Sequence, residues 1–171
     1  MSVRSQGGEL SVPLEPISLS RRDAHGVRPA RIIWLDNEEA LIRCASRLLS
    51  EYLKDYRLIP CVNGDDALRE IDRQPPDLLV TDYHHPGARL TEMLLRLEER
   101  PARFPVLLVS VCAGPEDLNH LRSASTFTIE LLGELGCGTL IPAVLKHLTA
   151  SKPPPPGEEA DNSKQDVRFR G

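Results

Sequence analysis

Apolar runs and amphipathic segments alternate along the middle of the chain. Each short run rich in Val, Ile and Leu is followed by a segment whose apolar positions recur at helical spacing. The predicted strands are 30–36, 56–62, 77–82, 104–111 and 127–132. The predicted helices are 38–53, 64–73, 88–100, 114–124 and 138–150. We expect Pro60 to place its strand at a sheet edge and Pro142 to break the last helix.

Nearly continuous apolar strands that alternate with helices are typical of a parallel sheet covered on both sides. The pattern therefore predicts an α/β fold over residues 30–150, with a doubly wound five-stranded parallel sheet and helices on both faces. Residues 1–29 show no periodicity, and residues 151–171 are proline-rich and then polar. Both ends offer too little apolar surface to offset their ordering entropy, which predicts disordered tails around one stand-alone domain.

Composition narrows the class of protein. Hydrophobic residues make up 40% and aromatic residues 4%, which predicts an aliphatic core. The net charge of −4 is scattered in both signs, so we expect no nucleic-acid or membrane partner. The cysteines stand far apart among apolar residues, which favours buried thiols in a reducing, cytoplasmic setting over disulfides or zinc ligands. They are Cys44, Cys61, Cys112 and Cys137.

Three predicted strands end in a polar residue, namely Asp36, Asp82 and Ser110. A single aspartate after a strand is usually a turn or cap residue. In a parallel sheet, however, the carboxyl ends of the strands meet at one edge, where functional residues gather. Two carboxylates there suit Mg²⁺, and a carboxylate beside that ion can accept a phosphoryl group while a hydroxyl hydrogen-bonds it. The convergence therefore predicts a phosphoryl-transfer site.

The turn after Asp82 carries two histidines, His84 and His85. Adjacent histidines on a turn point apart, and no further His or Cys lies at ligand spacing, so we expect both to be solvent-exposed. Asp82, His84 and Gly87 also match the D-x-H-x-x-G signature of cobalamin-binding domains. That motif follows the first strand of its fold, whereas only two predicted strands remain here, so cobalamin binding is the weaker interpretation.

Four blocks of the chain resemble the receiver domain of two-component response regulators: IIWLDNEE, NGDDALREI, PDLLVTDYHHPG and PVLLVSV. The resemblance covers residues 30 to about 149. It implies that Asp82 is the phosphoacceptor, charged from a histidine kinase or phosphotransfer protein. It also implies a Mg²⁺ site formed by Asp36, Asn37, Asp82 and the backbone carbonyl of His84.

The resemblance further implies how a phosphorylated state is sensed. Ser110 matches the hydroxyl residue that hydrogen-bonds the phosphoryl group, and Phe127 matches the aromatic residue that switches with it. The expected output is contact with a downstream protein partner, and the domain is expected to be a signalling module and not an enzyme.

Several residues depart from the family pattern near the expected site. Asn37 stands in place of a second acid, which removes one negative charge. Val111 is bulkier than the usual small residue and is expected to narrow access to Asp82. Arg89 and Leu90 replace the Asp-Gly pair before the third helix.

The most serious departure concerns the lysine of the last strand. Counting three residues on from Phe127 gives Glu130, followed by Leu131 where the family has proline. An anion there would repel a phosphoryl group. Two hypotheses stay open: a Mg²⁺-dependent phosphoacceptor, or a degenerate receiver that acts as a phosphorylation-independent protein-binding module.

Overall fold

The computed structural model describes residues 15–23, 26–83, 90–110, 113–133 and 136–150. The strands in these ranges are β1 (Ile17–Ser18), β2 (Arg21–Asp23), β3 (Gly26–Arg28), β4 (Ala30–Leu35), β5 (Leu53–Lys54), β6 (Tyr56–Cys61), β7 (Leu78–Thr81), β8 (Val106–Val109) and β9 (Ile129–Leu132). The helices are α1 (Glu39–Tyr52), α2 (Gly64–Arg73), α3 (Leu90–Glu98), α4 (Pro115–Ala124) and α5 (Cys137–Ala150). None of these helices has the length and hydropathy that a bilayer crossing requires.

Five strands form one parallel sheet in the order β6-β4-β7-β8-β9. This is the strand order of flavodoxin-like doubly wound folds, in which the chain reverses its direction of winding beside the first core strand. The prediction of a five-stranded parallel sheet with helices on both faces is therefore confirmed.

The sheet separates two apolar layers. In β4, Ile33 and Leu35 pack in the layer that includes α2, α3 and α4, whereas Ile32 and Trp34 pack in the layer that includes α1 and α5. Successive side chains of a strand point to opposite faces, so a strand covered on both sides has to be apolar throughout. β4 and β7 are buried along their whole length, which explains why they are apolar apart from Arg31 near the start of β4 and Thr81 at the end of β7.

The two outer strands of the sheet are protected in different ways. β6 lies at one edge, as Pro60 predicted. The carbonyl of Cys61 faces β4, because it accepts a hydrogen bond from the N–H of Asp36. The backbone of the preceding residue, Pro60, therefore faces away from β4, where no strand needs an N–H donor. At the other edge, Arg122 of α4 donates from Nε and Nη2 to the carbonyl of Ile129, at 3.2 and 2.9 Å.

The expected break at Pro142 is not observed, because α5 is one helix from Cys137 to Ala150. Pro142 is exposed and lies in the second turn, so its missing N–H costs one hydrogen bond to a carbonyl that water can reach. Leu140 and Val144 are fully buried and hold both sides of the proline against the sheet.

Part of the predicted N-terminal tail is structured, which corrects the assignment of residues 1–29 to a disordered segment. β1 pairs in parallel with β5, β2 pairs with β3 in an antiparallel hairpin, and Leu19 between them is 5% exposed. These residues gain their partners from β5 and from Asp77, which are far away in sequence. Residues 1–14 and the predicted tail 151–171 lie outside the described residues, so their disorder stays a prediction.

Candidate functional site

The strand register brings the predicted polar residues to one edge of the sheet. Leu35 pairs with Thr81, so Asp36 and Asp82 follow neighbouring strands at the same level. Neighbouring strands lie about 4.8 Å apart. Ser110 follows β8, the next strand across, and its backbone N–H donates to the carbonyl of Leu132 at 3.0 Å. The three segments therefore meet at the carboxyl edge, as the alternation of strands and helices predicted.

Asp36 is buried at the bottom of this edge, with 7% of its surface exposed. Its Oδ1 accepts a hydrogen bond from the backbone N–H of Glu38 at 2.8 Å, and this contact fixes the turn that leads into α1. Asp36 thus has a turn role, which a strand-ending aspartate often has. The second carboxylate oxygen remains as a possible ligand for a cation.

Asp82 is half-buried and directly follows β7. Its N–H donates to the carbonyl of Leu35 at 3.4 Å, and its carbonyl accepts from Thr81 Oγ1 at 3.1 Å. Within the described part of the chain, the Asp82 carboxylate has no hydrogen bond or ion pair. A partly desolvated carboxylate without such partners is available to a cation or an electrophile.

The expected metal ligands are only partly within the described residues. Asn37 is exposed beside Asp36, whereas His84 lies outside the described residues. No three His, Cys, Asp or Glu side chains in the described ranges are grouped closely enough to hold a metal ion. Asp36, Asn37 and Asp82 nevertheless offer two carboxylates and an amide at or beside this edge, which suits Mg²⁺ because that ion needs only one or two protein carboxylates and keeps several waters.

Ser110 is 6% exposed at the end of β8. Its neighbour Val111 and the substituted Arg89 lie outside the described residues, so their expected effects on access stay predictions. Leu90, the other departure at that position, begins α3 and is buried in the apolar layer.

Phe127 does not lie where the resemblance implies. It precedes β9, and Phe104, which precedes β8, is its ring partner at a centroid distance of 5.2 Å. The Arg103 guanidinium lies 5.3 Å from the centre of the same ring. Phe127 therefore packs at the amino end of these strands, at the level of Phe104 and about 20 Å of strand away from Ser110 at the carboxyl end. The prediction that Phe127 switches with Ser110 is wrong.

Glu130 is also displaced from its expected place. Glu130 lies inside β9, opposite Leu107 of β8. Its Oε2 is 2.5 Å from Lys146 Nζ and 3.1 Å from His147 Nε2, both on α5. Burial lowers the pKa of His147 and the neighbouring Glu130 partly offsets this effect. Glu130 therefore does not oppose a phosphoryl group at the carboxyl edge, and the predicted repulsion is wrong.

The reason for both corrections is an offset in the last strand. The sequence pattern predicts a strand that starts at residue 127, whereas β9 begins at Ile129. Continuing the register from Leu132 opposite Val109 brings Gly133, not Glu130, to the level of Ser110. The described residues at this end of β9 include no lysine. The family's cation is therefore still missing from them, but the residue at its expected level is Gly133 and not Glu130.

Tyr83 is a site residue that sequence reasoning missed. It follows Asp82 directly, and its hydroxyl donates a hydrogen bond to Asp117 Oδ1 of α4 at 3.0 Å. This hydrogen bond raises the pKa of Tyr83 above its ordinary value. The available signal was an aromatic residue immediately after the strand-ending aspartate, but nothing in the sequence identified its partner.

No protein-family model matches the chain. Among curated proteins, the gliding motility regulatory protein of Myxococcus xanthus is 31% identical over 84 residues, which are 48% of this chain and 11% of that protein. The alkaline phosphatase synthesis transcriptional regulatory protein PhoP of Bacillus subtilis is 26% identical over 80 residues, 47% of this chain and 32% of that protein. The chain thus spans a third or less of the length of these relatives.

Solved structures of receiver domains share the fold. The receiver domain of the Francisella response regulator 1452 superposes with a TM-score of 0.61 at 16% identity, covering 72% of this chain and 99% of that one. The CheY-like response regulator receiver domain protein of Methanospirillum hungatei also gives 0.61 at 16% identity, covering 71% and 95%. The resemblance to response regulator receiver domains is therefore confirmed in the fold.

Proposed function

We propose that this domain is a phosphoacceptor in a two-component signalling system, and that Asp82 is the residue that receives the phosphoryl group. The observation that carries the proposal is the state of the Asp82 carboxylate. It stands at the carboxyl edge beside Asp36, half-buried and without a hydrogen bond or ion pair to the described residues. A structural aspartate would be expected to have such partners.

The reaction needs a nucleophile, a charge-neutralising group and a donor of hydrogen bonds. A carboxylate oxygen of Asp82 forms a bond to phosphorus. The bond from phosphorus to the donor's leaving group breaks, and the leaving group keeps the electron pair of that bond. Mg²⁺, when bound, would neutralise charge on the transferred oxygens. Asp36, Asn37 and Asp82 would hold that ion, and the Ser110 hydroxyl would donate a hydrogen bond to the phosphoryl group.

The partners follow from this chemistry and from the similarity to response regulators. The phosphoryl group would come from a histidine kinase or a phosphotransfer protein, and the output would be contact with a downstream protein. One relative is named as a transcriptional regulatory protein. That name gives a class of output for that relative, and here we propose only a protein contact.

The direct test is incubation of the full chain with acetyl phosphate and Mg²⁺, followed by intact mass spectrometry. We expect one added phosphoryl group in the wild type and none in Asp82→Asn. Asp65→Asn is the matched control, because Asp65 is an exposed aspartate on α2 whose ion pair with Arg96 lies at the surface. Omission of Mg²⁺ should reduce the adduct strongly.

Two results contradict the proposal. One is a wild type that gains no mass, and the other is an adduct that forms equally in Asp82→Asn. Peptide mapping of any adduct would then identify the residue that carries it.

A second candidate function is supported by the departures at the carboxyl edge. Asn37 removes one acid, and no lysine is found among the described residues that end β9. A degenerate receiver would bind its protein partner without phosphorylation. In that case the partner's affinity would be the same for the wild type, for Asp82→Asn, and with or without acetyl phosphate.

A further inference from the structure

Tyr83 joins the end of β7 to the beginning of α4. Its backbone follows Asp82, whereas its hydroxyl reaches Asp117 Oδ1 at 3.0 Å. The ring is partly buried against the apolar layer that contains α2, α3 and α4. An aromatic side chain has only two rotatable bonds, so a ring held by packing and by its hydroxyl transmits displacement of its backbone.

Asp117 uses its second carboxylate oxygen to hold the start of α4. Its Oδ2 accepts the backbone N–H of Gly114 at 2.8 Å, and the carbonyl of Gly114 accepts from Leu118 N at 3.2 Å. Gly114 has no side chain that can cap the free N–H groups of the first turn. The start of α4 therefore depends on the position of one carboxylate, and Tyr83 is bonded to the other oxygen of that carboxylate.

The strand end before Tyr83 is lightly held. The hydrogen bond from Asp82 N to the carbonyl of Leu35 is 3.4 Å long, longer than the 3.0 Å bonds that hold Asp36 and Ser110 at the same edge. A change of charge or size at the Asp82 side chain therefore acts on the least restrained of the three segments. Tyr83, the next residue, connects this segment to α4 through its hydroxyl.

We propose that Tyr83 is a positioning residue that couples the state of the Asp82 side chain to the first turn of α4 through Asp117. The biological use of this coupling rests on the proposed function. The coupling itself does not, because any change of charge at residue 82 should alter the first turn of α4. This role replaces the switch that the sequence assigned to Phe127. The readout element is α4, which packs against α3 and β9.

The test is a cycle of variants read by hydrogen–deuterium exchange of α4 peptides. The variants are Asp82→Asn, Tyr83→Phe and the combination of both in the full chain. When Tyr83 is present, we expect Asp82→Asn to change the amide exchange rates in the first turn of α4 by about threefold or more, because the local opening of that turn shifts. The same substitution should have no effect on α4 in the Tyr83→Phe background.

A matched control deletes a different tyrosine hydroxyl. Tyr56 shares a hydrogen bond of 2.9 Å with Ser50 Oγ, on the layer formed with α1. In the Tyr56→Phe background, the response of α4 to Asp82→Asn should remain as large as in the wild type. If Tyr83→Phe does not fold, Asp117→Asn provides the second arm, because its amide keeps only one acceptor oxygen and should weaken the response.

The outcomes separate the two proposals. An equal α4 response with and without the Tyr83 hydroxyl overturns the coupling, and so does the absence of any response in the wild-type background. A missing acetyl phosphate adduct in the wild type overturns the phosphoacceptor function, while the exchange cycle still decides the coupling. Unchanged melting temperatures would exclude a merely structural cause for the loss of response.

Discussion

The two edges of the central sheet treat a carboxylate in opposite ways. At the amino edge, Asp77 accepts hydrogen bonds from Arg31 N at 2.7 Å and from Arg28 Nη1 and Nη2 at 2.6 and 3.0 Å, and Arg21 Nε lies 3.5 Å away. At the carboxyl edge, the Asp82 carboxylate has no such partner in the part of the chain that the structure describes. Both aspartates are partly buried and adjoin β7.

The difference teaches how a single strand can serve stability at one end and reactivity at the other. Hydrogen bonds to charged groups contribute about 1.5–3 kcal/mol each to stability, so a carboxylate with several donors is fixed in place. A carboxylate without donors contributes little, but its lone pairs stay available. β7 therefore has a hydrogen-bonded carboxylate at its amino end, Asp77, and an open one at its carboxyl end, Asp82.

A second ion pair extends the amino-edge network. Arg31 is 5% exposed, and its Nη2 bonds both the carbonyl and the Oε2 of Glu70, at 3.0 and 2.8 Å. Its Nε also donates to the carbonyl of Gln74 at 3.0 Å. The guanidinium thus caps the last carbonyls of α2 and ties that helix to the start of β4.

The largest expected effect comes from exchanging carboxylate for amide at each end of β7. Asp77→Asn should lower the free energy of unfolding by about 3 kcal/mol, because it leaves the partly buried Arg21 and Arg28 without their anion. Asp82→Asn should change it by less than about 0.5 kcal/mol. Urea unfolding followed by far-UV circular dichroism measures both, and equal losses would remove the distinction between the edges.

A smaller effect is expected from restoring the second acid at the carboxyl edge. Asn37→Asp should tighten Mg²⁺ binding about tenfold, or about 1.4 kcal/mol, because it adds an anion beside Asp36. Titration followed by the fluorescence of Trp34, the single tryptophan, measures the affinity.

Gln74→Glu is the matched control for that substitution. It makes the same change of charge at an exposed position of the amino edge and should leave the Mg²⁺ affinity unchanged. If both variants bind Mg²⁺ equally more tightly, the gain is a general effect of net charge, and the carboxyl edge is not the binding site.

The smallest expected effect concerns acid stability. The hydrogen bond from Arg31 lowers the pKa of Glu70 below its ordinary value of 4.5. Its carboxylate therefore stabilises the fold above that pH, and the contribution is lost as the pH falls through the lowered value. Glu70→Gln should flatten the decline of the melting temperature below pH 4.5. A decline as steep as that of the wild type would show that this ion pair does not link folding to pH.

Sequence reasoning predicted the elements whose signals are local. The bounds of α2 were predicted as observed, because its apolar spacing and acidic first turn lie within the helix itself. The meeting of Asp36, Asp82 and Ser110 at one edge followed from the alternation of strands and helices, which determines the direction of every strand.

What the sequence did not predict depends on partners far along the chain. The strands around Leu19 are held by β5 and Asp77, and composition alone cannot identify such contacts. Phe127 and Glu130 were misplaced because β9 is short and lacks a strong apolar run, so its start was misjudged by two residues. The bond from Tyr83 to Asp117 spans 34 residues and leaves no local signature.

The protection of the two outer strands has a consequence for assembly. Exposed strand edges are templates on which a second chain can add and begin aggregation. Here a proline without an N–H interrupts the β6 edge, and an arginine side chain already occupies an outward carbonyl of β9. We therefore expect this domain to recognise other proteins through its helical surfaces, with the sheet closed to growth at both sides.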